Sequence, residues 1–283
     1  MRNGYNLLSV NFICFLIITA FTGCNNVAYK SPEGYHLNQP EKFSLGNALN
    51  EISGITFFKN NNDSIFAIQD EDAKIYFFKT GDNNYAYSKF GKNGDYEDVT
   101  ILNNNVVVLR SNGSLFLFPI DEIGNEKIEN VHEYNNILPA GEYEGLCAAD
   151  GSLFALCKNC HEDKDEKEVT VYTLNLSSGD SLSVTNSFKI NISKIQPDHK
   201  KERIKFHPSC IAKNPATHEW FIISSVNKLL LVLDEQWNVK AYYPLDPSLF
   251  KQPEGLTFNA RGDMYVSNEG GQGAANILLF RYH

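Results

Sequence analysis

Short apolar runs recur along the chain in groups of three, and every group opens on the same kind of segment. This opening segment joins one or two acidic or polar residues to an apolar stretch. The five copies are EISGITFF from Glu51, DYEDVTIL from Asp95, EYEGLCAA from Glu142, HPSCIAKN from His207 and QPEGLTFN from Gln252. Their starts are 44, 47, 65 and 45 residues apart. Repetition over this length indicates a fold that is built from similar units.

The runs have the composition of antiparallel strands. They are rich in β-branched and aromatic residues, and turn sequences such as Asn112-Gly113 separate them. A fourth strand is predicted after four of the copies, at 85–90, 130–134, 183–190 and 239–243. The fifth copy ends with the chain, and the segment 42–46 can supply its missing strand.

Four-stranded units of about 45 residues that repeat radially predict an all-β fold, a five-bladed β-propeller closed by an N-terminal strand. Pairing of the first and last strands would remove the exposed edges of an open sheet. The extra length of the third unit is assigned to the charged insertion 160–167. Six blades are the alternative, if that unit conceals a degenerate blade. A two-sheet sandwich would not produce a fixed repeat.

The first 23 residues form a different kind of segment. Arg2 is followed by an apolar run at 7–21, and the small residues Thr22 and Gly23 precede Cys24. This pattern predicts a signal peptide, because the run is shorter than the roughly 20 residues of a spanning helix. The residues before Cys24 resemble a lipobox, so Cys24 would become the N-terminus and carry fatty acids such as palmitate. A secretory peptide that merely contains a cysteine is the alternative.

The chain therefore divides into a signal peptide (1–23), a polar tether (24–40) and one β-propeller domain (41–283). The expected location is the bacterial cell envelope, with the domain lipid-anchored and facing the periplasm or the exterior. Asn25 and Asn26 follow Cys24, and the absence of an aspartate there favours the outer membrane in a Gram-negative host. The tether is expected to leave the domain beside blades five and one.

Charge limits the choice of partners. The net charge is −9, and removal of the signal peptide, which contains Arg2 and no acid, makes it one unit more negative. An acidic protein without a basic stripe binds nucleic acid poorly. The basic cluster at 200–205 is interrupted by Glu202. We expect a monomer with no nucleic-acid partner, whose partner is an unknown envelope protein or a small ligand.

The aligned copies predict which side chains face the central channel. Side chains alternate along a strand, so positions two apart share a face. At one mouth of the channel the innermost strands contribute Ser53, Glu97, Glu144, Ser209 and Glu254, and two residues earlier Glu51, Asp95, Glu142, His207 and Gln252. The second strands are predicted to add Asp70, Arg110, Lys158, Ser225 and Asn268, followed by Glu71, Ser111, Asn159, Val226 and Glu269.

Only some of these acids have a predicted cationic partner. Glu97 can pair with Arg110, and Glu144 with Lys158. Clustered carboxylates without a cation either take up protons or bind a hard divalent ion such as Ca²⁺. The glycine-rich loop 270–273 could add backbone carbonyls. The candidate calcium ligands, all from the neighbouring blades five and one, are Glu51, Asp70, Glu71, Glu254 and Glu269.

The segments EISGI, DYEDV, EYEGL and QPEGL, with QDE and SNE after the following strands, resemble the SdiA-regulated or YjiK-like family of envelope propellers. The resemblance runs from roughly Phe43 to Tyr282. It implies a β-propeller, often membrane-anchored, that is associated with calcium and distantly similar to phytase-type and esterase-type propellers. The family's acidic motif falls on Glu97, Glu144 and Glu254, whereas Ser209 departs from it. The resemblance implies no established reaction.

Cysteine and histidine suggest further chemistry. The stretch from Cys157 to His161 has the form of a covalent haem-attachment site, but a haem also needs an apolar pocket and an axial ligand. We therefore expect no haem, and favour a local disulfide or free thiols. Zinc would lack a second pair of ligands. His207 is the candidate catalytic base, although no known hydrolase motif accompanies it.

Two functions remain open from the sequence. The preferred one is a ligand- or partner-binding module that also binds calcium. The other is a calcium-dependent hydrolase of phosphoesters, esters or lactones, since fold alone does not choose between binding and catalysis.

Replacing Cys24 tests the anchor. We expect Cys24→Ala to move the protein from the membrane fraction to the soluble fraction, because no thiol remains to carry the lipid. Unchanged membrane retention in fractionated cells would contradict lipidation at this residue.

Overall fold

The computed structural model describes residues 1, 29–58, 64–82, 84–163, 167–177, 181–195, 205–271 and 273–283. The predicted signal peptide, apart from Met1, and Cys24 lie outside these residues. In the described part of the chain, no helix has the length and apolarity needed to span a bilayer.

The strands form five antiparallel sheets of four strands each. Blade 1 contains β2 (Ile52–Phe57), β3 (Ser64–Gln69), β4 (Lys74–Lys79) and β5 (Ala86–Lys89). Blade 2 contains β6 (Tyr96–Leu102), β7 (Asn105–Arg110), β8 (Leu115–Pro119) and β9 (His132–Tyr134). Blade 3 contains β10 (Gly141–Ala149), β11 (Ser152–Cys160), β12 (Glu168–Leu176) and β13 (Leu182–Asn191). Blade 4 contains β14 (Cys210–Lys213), β15 (Trp220–Ser224), β16 (Leu229–Leu233) and β17 (Val239–Pro244).

Blade 5 joins the two ends of the domain. It contains β18 (Pro253–Phe258), β19 (Met264–Asn268) and β20 (Asn276–Phe280), and its outermost strand is β1 (Glu41–Ser44). β1 pairs antiparallel with β20, from Glu41 opposite Leu279 to Ser44 opposite Asn276. The predicted five-bladed propeller with an N-terminal closing strand is therefore confirmed, and the six-bladed alternative is wrong.

The described residues of the long third unit form one four-stranded blade. Its strands have nine, nine, nine and ten residues, whereas those of blade 4 have four to six. The extra length thus lies in longer strands and in the connection 192–209, as well as in the predicted insertion 160–167.

The cores lie between neighbouring blades. Ile68 and Ile75 of blade 1 pack with Val106 and Phe118 of blade 2 in one cluster of fully buried side chains. Burial of a side chain of this size contributes about 1.5–3 kcal/mol. Each blade therefore depends on its neighbours for much of its stability.

The innermost strands approach one another closely at one position of each copy. It is the residue that follows Ser53, Glu97, Glu144, Ser209 or Glu254. A Cβ atom on Gly54 would lie 2.6 Å from the Cα atom of Asp98, and one on Gly255 would lie 2.5 Å from the carbonyl oxygen of Ser53. Blade 2 has Asp98 at this position. Its buried carboxylate accepts hydrogen bonds from the backbone N–H groups of Val99 (2.8 Å) and Leu146 (2.7 Å), which joins blade 2 to blade 3.

The segment before β1 is attached to blades 4 and 5. The Tyr35 hydroxyl donates to the Gly262 carbonyl oxygen (2.6 Å) and accepts from the Asn214 side-chain amide (2.8 Å). Lys30 lines a groove together with Tyr243 of blade 4. The tether therefore approaches the domain beside blade 4, and the expected exit beside blades five and one is wrong. The reason is that the buried Tyr35 ring packs against blades 4 and 5 and directs the chain away from blade 1.

Gly54→Ala tests the close approach of the inner strands. The added methyl would meet the backbone of blade 2, so we expect a loss of about 2–3 kcal/mol, or a melting temperature lower by about 5 °C or more. Thermal unfolding followed by circular dichroism measures it. Gly273→Ala, whose Cβ would have no neighbour closer than 3.5 Å, is the matched control. Equal melting temperatures for the two variants would contradict the prediction.

Candidate functional site

Three glutamates and two serines lie where the innermost strands begin, at one mouth of the channel. We call this set the acidic mouth: Ser53, Glu97, Glu144, Ser209 and Glu254. The three glutamates sit at β-bulges, since the pairing with the second strand skips Glu97, Glu144 and Glu254 in their blades. A bulge re-aims the side chain of the extra residue.

The residues before these glutamates are turned away from the channel. Tyr96 and Tyr143 are fully buried in the clusters between blades. Their burial holds the bulges in place. Glu144 is 7% exposed, and Glu97 and Glu254 are partly buried.

The second strands meet the mouth in a register that differs from the predicted one. The backbone N–H groups of Asp70, Ser111 and Glu269 donate to the carbonyl oxygens of their inner-strand partners at 3.3, 2.9 and 2.9 Å. These three residues are therefore equivalent, whereas Arg110 and Asn268 lie one position earlier, opposite Tyr96 and Pro253. The predicted column that placed Arg110 and Asn268 beside Asp70 is wrong. The turn between the first two strands varies in length from blade to blade, so counting along the copies misses the register.

This register takes Arg110 away from Glu97. The Arg110 guanidinium lies over the rings of Phe116 (4.8 Å) and Tyr96 (5.4 Å), and its Nη1 atom is 3.7 Å from Glu133. The predicted ion pair between Glu97 and Arg110 is wrong. Within the described residues, Glu97 has no ion-pair partner.

The other predicted ion pair is formed. The Lys158 Nζ atom lies 2.7 Å from Glu144 and 3.2 Å from Glu142. The Lys158 backbone is skipped in the pairing of β11 with β10, because Cys157 pairs with Tyr143 while Asn159 pairs with Glu142. This second bulge turns Lys158 toward the carboxylates.

A disulfide closes the segment that carries Lys158. Cys157 and Cys160 are bonded to each other, and Cys147 and Cys210 are free. The local disulfide that the sequence favoured over a haem is therefore present. Thiols that are joined in a disulfide bind neither a haem nor zinc as thiolates.

Burial and mutual repulsion perturb the glutamates of the acidic mouth. Burial, together with the charges of Glu144, Asp95 and Glu254, raises the pKa of Glu97 to about 9. Burial and the charges of Glu144 and Glu269 raise the pKa of Glu254 to about 7. Burial also raises the pKa of Glu144, although Lys158 opposes the shift. These carboxyls therefore favour either a proton or a bound cation.

The remaining predicted calcium ligands form a second group at the rim. Burial and the neighbouring Glu51 and Glu71 raise the pKa of Asp70 to about 6, and burial and Asp70 raise the pKa of Glu269. The Asp70 Oδ1 atom is buried and has no hydrogen-bond partner. The charge of Glu269 helps to raise the pKa of Glu254, so this group lies close enough to the acidic mouth to interact with it. Among the described residues, no three His, Cys, Asp or Glu side chains converge closely enough to hold a metal ion.

His207 lies at the same rim. Its backbone N–H donates to the Asn227 side-chain oxygen (3.0 Å), and the residue is partly buried. The Asn159 amide lowers the pKa of Glu142, with a smaller effect from His207. The Ser209 hydroxyl accepts from the Ser225 backbone N–H (3.1 Å).

The opposite mouth has a different chemistry. It opens into a cavity of about 530 Å³ whose lining includes Thr56, Thr100, Cys147, Ala212, Thr257, Phe57 and Phe258. The charged residues of its lining, Lys213 and Asp150, pair with each other at 2.6 Å. This cavity and the perturbed carboxyls thus lie at opposite ends of the channel. We take the acidic mouth as the candidate functional site because titratable groups carry more specific chemistry than cavity volume.

Several solved structures share the fold. A glutaminyl cyclase from Myxococcus xanthus is 11% identical, with a TM-score of 0.58 over 85% of this chain and 94% of that chain. A luciferin-regenerating enzyme is 9% identical, with a TM-score of 0.51 over 86% and 95%. A glucose dehydrogenase is 12% identical, with a TM-score of 0.51 over 86% and 99%. This chain is thus a β-propeller protein, and at these identities the likeness extends to the fold alone.

No protein-family model matches the chain, and no curated protein matches its sequence.

The raised pKa of Glu97 predicts how stability depends on pH. The folded protein holds this proton up to about pH 9, whereas an unfolded chain releases it near the usual value of 4.5. Glu97 therefore costs no stability below pH 4.5 and destabilises the fold progressively as the pH rises toward 9.

We expect Glu97→Gln to lose less stability than the wild type between pH 5 and pH 8. The difference should be at least about 1 kcal/mol, or about 3 °C in melting temperature. Thermal unfolding at both pH values measures it. Glu126→Gln, at an exposed position of blade 2, should follow the wild type, and a Glu97→Gln profile parallel to wild type would refute the shift.

Proposed function

We propose that this protein is a lipid-anchored envelope β-propeller of the SdiA-regulated or YjiK-like type that binds a cationic ligand at its acidic mouth. One observation carries the proposal. Glu97, Glu144 and Glu254 surround one end of the channel, and among the described residues only Glu144 of these three forms an ion pair, with Lys158. Such an arrangement destabilises the charged carboxylates in the free protein, and a bound cation would relieve that cost.

The bulges support a binding role. They place the glutamates at equivalent points of three blades, although each bulge interrupts the pairing of the first two strands. β-bulges are frequent beside functional sites because they redirect side chains. The glutamates therefore occupy equivalent positions around the channel, which supports a binding site more than a random acidic surface would.

Calcium is the simplest cation of this kind. Carboxylate oxygens are the ligands that Ca²⁺ prefers. The buried Asp70 Oδ1 atom at the rim accepts no hydrogen bond and is available as such a ligand. The side chains do not converge on one point, so binding would require Glu254, Glu269 and Asp70 to rotate toward each other. A larger organic cation would need less rearrangement, and it is the second probe in the test below.

A calcium-dependent hydrolase is the second candidate function. The observation that favours it is the pKa of about 7 at Glu254, because general acid–base catalysis is most efficient when the pKa lies near the working pH. His207 at the rim is a further candidate base. Phosphoesters, esters and lactones are the substrate classes to assay.

Calorimetric titration of the mature domain with Ca²⁺ and with spermidine tests cation binding. At pH 7, Glu97 is protonated and Glu254 is about half protonated, so binding should release roughly one to two protons. Proton release is read from the apparent enthalpies in two buffers with different ionisation enthalpies. Glu97→Gln with Glu254→Gln should weaken binding at least about tenfold, and Glu126→Gln should not change it.

Absence of heat with both cations, or binding that survives the double variant, would refute the acidic mouth as the site. The hydrolase would be favoured instead if an ester, lactone or phosphoester is turned over, if a chelator abolishes this turnover, and if Glu254→Gln lowers it.

A further inference from the structure

A groove of about 670 Å³ lies at the outer edge of the propeller, between β13 of blade 3 and β17 of blade 4. Four lysines line it, from three separate parts of the chain, and no acidic residue does so within the described residues. We call it the lysine groove: Lys30, Lys189, Lys194 and Lys240. In a chain of net charge −9, four lysines along one groove are a local concentration of basic side chains.

Two of these lysines are neutralised by nearby acids. Lys189 lies 2.9 Å from Glu168 and 3.7 Å from Asp163, and Lys240 pairs with Glu219. Glu33 and Asp234 also act on Lys240. Lys30 and Lys194 are exposed, and neither forms an ion pair with another described residue. Within the part of the chain that the structure describes, the groove therefore presents two exposed lysines without an ion-pair partner.

The wall of the groove is rigid and aromatic. Trp237 is buried and stacks on Trp220 at 4.4 Å and on Phe188 at 5.2 Å. Tyr242 and Tyr243 of β17 line the same groove. Partly exposed tyrosine beside lysine is typical of surfaces at the level of lipid headgroups, because tyrosine presents an apolar body and a polar tip.

The tether brings the lipid to this edge. Lys30 is six residues from Cys24, a distance that extended chain spans in at most about 20 Å. The chain beyond Lys30 cannot drift away, since Tyr35 is buried and bonded to Gly262 and Asn214. A lipid on Cys24 would therefore hold the lysine groove near the bilayer surface.

We propose that the lysine groove is the membrane-facing edge of the protein and that it binds the phosphate headgroups of anionic phospholipids. This inference rests on the lipid anchor proposed above. In this orientation blades 3 and 4 face the bilayer and blade 1 lies farthest from it. The two mouths of the channel then open sideways, so the acidic mouth stays accessible and away from the anionic surface.

Lysine footprinting of the lipidated protein tests the orientation. The full lipoprotein is reconstituted into vesicles of phosphatidylglycerol or of phosphatidylcholine and treated with a membrane-impermeant amine-acylating reagent, and mass spectrometry gives the rate at each lysine. We expect Lys30 and Lys194 to react about fivefold more slowly on phosphatidylglycerol than on phosphatidylcholine. The attraction of an anionic surface raises the ratio of membrane-bound to free lysine side chains by about that factor. Lys79 and Lys92 of the blade 1 side should react equally on both.

A charge-reversed pair supplies the matched control. Lys189 and Lys240 line the same groove and should also be labelled more slowly on phosphatidylglycerol. Lys30→Glu with Lys194→Glu should abolish this protection of Lys189 and Lys240, whereas Lys79→Glu with Lys92→Glu should preserve it. If all these lysines are labelled at equal rates on phosphatidylglycerol, in a protein that floats with the vesicles, the lysine groove is not the membrane-facing edge. A protein that does not float refutes the anchor itself, so the two failures are distinguishable.

Discussion

The close approach of the five innermost strands is the constraint on which the rest of this structure depends. Gly54 and Gly255 leave no room for a Cβ atom, and Asp98 uses the same position to accept a hydrogen bond from Leu146 of the next blade. Because the strands converge, the residue that precedes this position in every blade is brought to one mouth of the channel. Tight packing of the ring thus creates the acidic mouth as a direct consequence.

Convergence also sets the electrostatics. Glu97, Glu144 and Glu254 come from different blades, yet the charges of Glu144 and Glu254 help to raise the pKa of Glu97, and the charge of Glu144 helps to raise the pKa of Glu254. The bulge at Lys158 delivers a cation to Glu144 and Glu142 only. The acidic mouth therefore keeps an excess of carboxyl groups that hold protons near neutral pH, and this excess favours cation binding there. The lysine groove places four basic side chains at the outer edge, away from the carboxyls of the channel.

Most of the fold was predictable from the sequence, and the site only in part. The five copies and the segment 42–46 predicted five blades and their closure, because strand composition and repeat length are local properties. The pair of Lys158 with Glu144 was also predictable, since the two residues lie on adjacent strands of one blade. The pair of Arg110 with Glu97 failed, because the register depends on turn lengths and on bulges. Asp98, which joins two blades, carried no signal in the sequence beyond its departure from glycine.

The sequence by itself determined the architecture, the acidic composition of the mouth and the presence of a cysteine pair in blade 3. These follow from residue order and from the alternation of side chains along strands. Only the tertiary structure decided which carboxyls lack a cation, that Cys157 bonds to Cys160, and that the chain before β1 lies beside blade 4. The first and the last of these depend on distances between blades, because contacts such as those of Tyr35 with Phe221 and Phe258 join residues that no local pattern relates. The disulfide depends on the local conformation of β11, which contains both cysteines.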